Sequence, residues 1–184
     1  MSPLIVVAAG TLLTGLGVSG PLGVVPGAVG VVALLAGLYR IRWRNDVLAW
    51  TFWGALALLL ALIGWPALVL AGAHLPFLLF LLIASLQAGV AIGLATGVRA
   101  CLLGAGADAG DARVTRLALA RTLILVTFAR ILISVMVDGL LFAVPTLTVL
   151  LIAFVSMVAY VWLALLMFRL RDEPSLQAHS TGKA

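Results

Sequence analysis

Apolar runs long enough to cross a bilayer follow one another along this chain, and the polar breaks between them are too short to hold a separate domain. The breaks fall at Ser19-Gly20-Pro21, at Arg40 to Asp46, at Ala73-His74-Leu75-Pro76, at Arg99 to Arg116 and at Ala143-Val144-Pro145. Between them lie runs at about Leu4 to Val18, Leu22 to Tyr39, Val47 to Ala71, Phe77 to Val98, Leu117 to Phe142 and Thr146 to Phe168. A helix needs roughly 20 apolar residues to cross the hydrocarbon layer, so a chain of 184 residues has room for such crossings and little else. With 65% of its residues apolar, 9% charged and a mean hydropathy of +1.30, the chain has too little polar surface for a soluble domain.

The sequence therefore predicts an all-α fold, a polytopic transmembrane bundle of six helices arranged as three hairpins. Residues 1–171 form the single membrane domain, and 172–184 a polar cytoplasmic tail without fixed structure. Because Leu4 to Val18 is short and glycine-rich, five crossings are the alternative, with Leu4 to Tyr39 making one span and a broken or re-entrant helix. Met1-Ser2-Pro3-Leu4 lacks the basic start of a removable signal, so this run is kept as a span.

Six spans place Arg40, Arg42, Arg44, Arg99, Arg113, Arg116, Arg169, Arg171 and Lys183 on one side, while the loops around Pro21, His74 and Pro145 carry no lysine or arginine. The positive-inside bias makes the basic side cytoplasmic, giving a multi-pass protein of the cell membrane with both termini inside. Basic residues in short clusters report orientation rather than nucleic-acid binding. Trp43, Trp50, Trp65 and Trp162 lie where interface anchors belong, and Trp53 lies deeper.

In the fourth span Gly89, Gly93 and Gly97 line one helix face, which predicts close helix packing or a seam between copies. In the fifth, Thr127, Arg130, Ser134 and Asp138 recur at spacings of three, four and four and share a stripe. An arginine at membrane depth costs about 2.5–3.5 kcal/mol on insertion scales unless it meets a partner or water, so Arg130 is expected to face protein. Asp138 stands about 12 Å further along the helix, too far to pair with it directly. Gln87 of the fourth span, with Ser85, Thr96, Ser156 and Tyr160, completes the set of polar candidates.

Catalysis and metals find little material. One cysteine and two histidines, neither histidine inside a span, exclude bis-histidine haem ligation and cysteine-rich metal or iron–sulfur sites, so no metal or cofactor is expected. No Gly-x-Ser-x-Gly, His-Glu-x-x-His or P-loop pattern occurs. Asp111 reads as the cap of the fifth helix, after a flexible connector from Gly104.

Two functions fit these residues. In the first, the protein binds and translocates a small anionic solute, alone or as the membrane-embedded subunit of a transporter. Arg130 then holds the anion or a lipid headgroup, Ser134, Thr127 and Gln87 supply hydrogen bonds, and Asp138 guards the outer mouth. In the second, it is a non-catalytic accessory subunit whose polar stripe meets a partner membrane subunit or another copy. A membrane enzyme acting on lipid-linked substrates comes third, for want of acid–base residues. The first two differ in where Arg130 points: into a cavity between helices, or out of the chain.

Overall fold

The computed structural model describes residues 2–16, 24–70, 76–141 and 146–176; the side chains of 16, 24, 65–70, 76–80, 134–141, 146–153 and 175 lie outside that description. The expectations for Pro21, His74, Pro145, His179 and Lys183, and that for the side chain of Trp65, fall outside the described residues. Among the described residues the chain is all-helical, with α1 (Pro3–Leu16), α2 (Val24–Ile41), α3 (Asp46–Leu70), α4 (Pro76–Gly104), α5 (Ala112–Leu141) and α6 (Thr146–Arg169). Each helix packs against the next, and α1 returns against α6. The Ser2 hydroxyl donates to the Arg171 carbonyl at 2.8 Å, fastening the start of α1 beside the end of α6.

Local chemistry sets the helix ends. Pro3 and Pro76 open α1 and α4, where a missing N–H costs nothing. Asn45 caps α3 by accepting from the Leu48 N–H at 2.8 Å, and its amide donates to the Gly97 carbonyl at 2.8 Å, tying the α2–α3 turn to α4. Asp111 caps α5, as expected, accepting from the Arg113 N–H at 2.7 Å.

Between α4 and α5 the expected connector, Gly104 to Asp111, is a succession of tight turns. Helix α4 runs on through Arg99 to Gly104, because Leu102 is fully buried there. It ends where Gly106, at φ +92°, takes the left-handed position. Gly106 and Ala107 donate to the Leu103 and Leu102 carbonyls, both at 3.1 Å, the paired bonds of a Schellman cap.

Three helical stretches are long and apolar enough to cross a membrane: Val25–Arg44, Asp46–Gly64 and Leu81–Gly104. Pro3–Gly15 and Phe154–Arg169 are apolar but shorter over the described residues. At 14 residues α1 is about 21 Å long, less than the hydrocarbon thickness. The outer surface matches association with a membrane. Val25, Val29 and Val32 of α2, Leu60 and Ile63 of α3, and Phe154, Val158 and Leu165 of α6 are all exposed. Aliphatic surface on so many helices would be an aggregation liability in water. The core is leucine-rich, with Leu4, Leu38, Leu48, Leu58, Leu94, Leu117 and Leu163 fully buried.

The tail corrects one expectation at its start. Pro174–Leu176 forms a short 3-10 turn, and Leu176 is fully buried. Burial of this leucine orders the segment, helped by Arg113, which bridges Glu173 at 2.7 Å and Asp111 at 2.8 Å. The side chain and backbone N–H of Arg113 hold the Asp111 carboxyl below its ordinary range.

A carboxylate whose folded-state pKa is depressed contributes stability above its unfolded pKa, lost as pH falls through the folded value. Cleavage in limited proteolysis across Arg171 to Leu176 is therefore expected to stay constant at neutral pH. It should rise only below the aspartate range, about pH 4. Glu173→Gln should raise it at neutral pH.

Candidate functional site

The polar residues inside the bundle gather around Gln87 of α4. Its side-chain amide donates to the Thr14 carbonyl at 2.8 Å. Thr14 lies in the last described turn of α1, so Gln87 ties α4 to that part of the helix. Two small cavities flank the pair. One, of about 10 Å³, is bounded by Thr11, Thr14, Leu58, Gln87 and Tyr160. The other, of about 60 Å³, is bounded by Gln87, Thr127, Phe128, Ser156 and Tyr160. At roughly 10–15 Å³ per water these hold one water and a few waters, not a solute of many atoms.

Most hydroxyls around them are already committed. Thr11, Thr14 and Thr127 each donate to the carbonyl four residues earlier, at 2.8, 2.7 and 2.8 Å. Back-bonding of this kind lets threonine sit in an apolar helix bundle. Tyr160, a buried residue, borders both cavities. Gln87→Leu removes the buried bond to the Thr14 carbonyl, so denaturant unfolding of the purified protein should show a loss of about 1 kcal/mol.

Of the stripe expected on α5, Thr127 is buried and faces Gln87 across the larger cavity. Arg130, one turn later, does not join them. It is exposed, lies outside that cavity lining, and makes no hydrogen bond or ion pair with a described residue. Its neighbours on the surface are aliphatic, with Val126 59% and Ile133 54% exposed. The expectation that Arg130 faces protein is thus not met within this chain. The side chains of Ser134 and Asp138 lie outside the described residues. Arg121, nine residues and about two and a half turns before Arg130, is only partly buried.

The three glycines of α4 have different roles. An added methyl at Gly93 would collide with the Thr51 hydroxyl, and one at Gly97 would lie 2.6 Å from Leu48, so both seat α3 against α4. Gly89 is exposed, has open space before it, and lines an apolar groove of about 350 Å³ with Trp50, Gly54, Leu82 and Ser85. Among the described glycines, the close approaches to backbone atoms lie elsewhere, between α1 and α2. A methyl on Gly10 would stand 2.5 Å from the Leu34 nitrogen, and one on Gly30 2.5 Å from the Thr14 nitrogen. The signal for it was present as Gly30 and Gly37 at heptad spacing opposite Gly10.

Among the described residues no group of three metal-ligating side chains occurs. Comparison with protein-family models, with curated proteins and with solved structures finds no match.

Proposed function

We propose that this chain is a non-catalytic, membrane-embedded subunit that joins another membrane protein through the Arg130 face of α5. One observation carries the reading: Arg130 is an exposed cation on an aliphatic surface, with no partner among the described residues. Taking α5 to enter the hydrocarbon layer near Leu117, the rise of about 20 Å to Arg130 supports a Cα depth within a layer of about 30 Å. Side chains on a helix lean toward its N-terminus. On α5 that lean takes Arg130 toward the midplane and away from the nearer surface.

A guanidinium so placed needs a counter-group, and the natural one is a carboxylate or exposed carbonyl on a neighbouring transmembrane helix. Transport is the less supported reading. It requires Arg130 in a cavity between helices, and the cavity beside Gln87 and Thr127 has water dimensions and no cation in its lining.

Native mass spectrometry of the protein extracted in its own lipid tests this directly. The wild type should carry a second protein mass that Arg130→Ala lacks. A bound small anion in place of that mass, also lost in the variant, would overturn the assembly reading and support solute binding.

A further inference from the structure

We infer that the turn joining α2 to α3 is a binding site for the phosphate of an anionic membrane lipid, held by Arg42 within its cage of aromatic rings. The Arg42 guanidinium carbon lies 4.3 Å from the centre of the Tyr39 ring, 4.4 Å from that of Trp43 and 4.9 Å from that of Phe52. The rings support one another: Tyr39 and Phe52 are 6.2 Å apart, and Phe52 meets Trp53 edge-on at 5.6 Å. Cation–π contact on this scale fixes both the position and the plane of the guanidinium, so little side-chain entropy remains to be lost on binding.

The donors left for a ligand are the outer Nη groups of this half-buried side chain, since Nε is enclosed. The Arg42 Nε is buried with no hydrogen-bond partner, and no ion pair joins Arg42 to a described carboxylate. A guanidinium presents its N–H groups in a planar fork that matches two oxygens of a phosphate. Arg40, two residues earlier, is exposed and adds a second positive charge. The acid in this stretch, Asp46, stands in the first turn of α3, where the helix N-terminus already favours it.

The surroundings favour a lipid as the source of the phosphate. Arg42 lies at the end of the apolar stretch Val25–Arg44, at the depth where a crossing helix meets headgroups. Trp43 is 79% and Trp50 76% exposed, as amphipathic anchors of that layer are. Two arginines without a matching carboxylate favour a net-anionic headgroup over a zwitterionic one. The inference rests on membrane embedding, not on the Arg130 interface.

The test uses the purified full chain, delipidated and offered equal amounts of phosphatidylglycerol and phosphatidylcholine, with retention read by native mass spectrometry. Phosphatidylglycerol should be retained in preference. Arg42→Lys, which keeps the charge and loses the fork, should lower that retention roughly five- to tenfold. Tyr39→Leu, at an exposed position, should lower it in the same direction. Arg116→Gln and Arg130→Ala should retain the lipid, which separates this site from general charge and from assembly.

Equal retention of both lipids, or full retention by Arg42→Lys, overturns the inference. So does displacement by millimolar inorganic phosphate, which would make the ligand a soluble phosphate. A second protein lost in Arg42→Lys would make the cage a protein contact and overturn it too.

Discussion

Gly10→Leu is expected to abolish the packing of α1 on α2 and to prevent recovery of a folded chain. At Gly10 the first added carbon would stand 2.5 Å from the Leu34 nitrogen, 2.7 Å from the Gly30 carbonyl oxygen and 2.8 Å from the Leu34 Cα. All three are backbone atoms and cannot rotate away, so the helices themselves must separate. Overpacking in a core typically costs about 1–3 kcal/mol where side chains can yield, and more is expected where they cannot. Gly30→Leu should match it, since the same contact is made from the opposite helix at 2.5 Å from the Thr14 nitrogen.

Separation would carry further, because α1 also holds Tyr160 of α6 against Gly15 and accepts the bond from Gln87. The contrast is Gly89→Ala, where nothing lies within 4 Å of the added carbon. There the change should be within about 0.5 kcal/mol of zero, or slightly stabilising through better helix propensity. Retained fold after graded denaturant in detergent, followed by circular dichroism, measures all three. A folded Gly10→Leu chain of ordinary stability would show that the α1–α2 contact is not as close as described.

Arg130→Leu is expected to move two observables in opposite directions. For the isolated chain, the replacement removes a charge from an aliphatic surface. On insertion scales this makes α5 more favourable in the bilayer by about 2.5–3.5 kcal/mol, with the hydrophobicity of leucine adding a few tenths more. Assembly should be lost, because the partner's counter-group would then be left desolvated and unpaired, a penalty of several kcal/mol. Arg130→Lys keeps the charge but loses the fork of donors, and should assemble measurably less well than the wild type.

The paired measurements are thermal stability of the purified chain and recovery of the partner on co-purification. A structural arginine that packs only within its own chain would show a loss of stability in Arg130→Leu and no change in partner recovery. That outcome would sink the assembly reading.

How far the sequence could be read follows from which forces act locally. In an apolar medium each helix must satisfy its own backbone hydrogen bonds, so helix positions are legible from runs and breaks. Six helices fall where six apolar runs do, and Pro76, Asn45, Asp111 and Gly106 set ends that residue chemistry alone explains. The overrun of α4 past Val98 joins a tertiary cause, the burial of Leu102, to a local one, the Schellman cap at Gly106 that ends it. The tail at Leu176 was harder to read, since one buried leucine and one bridge to Arg113 order a segment of otherwise polar composition.

Which faces meet was not legible. Thr127 and Arg130 are only about 60° apart around α5, so spacing puts them in one stripe. Yet the edge of the contact with α4 and α6 runs between them, burying one and exposing the other. The same holds for the glycines: the repeat of Gly89, Gly93 and Gly97 is visible in sequence, but α3 covers only the last two, and among the described glycines the close approach to backbone is at Gly10 and Gly30.

The sequence by itself thus determined the helical segments, their ends and their apolar character. The tertiary structure decided that Gln87 bonds to α1, that Arg42 is held among rings, and that Arg130 faces outward. Segment identity depends on hydrogen bonds and hydrophobicity within one stretch of chain, whereas these three facts depend on the rotation of one helix against another. That rotation is set by small-residue contacts far apart in the sequence.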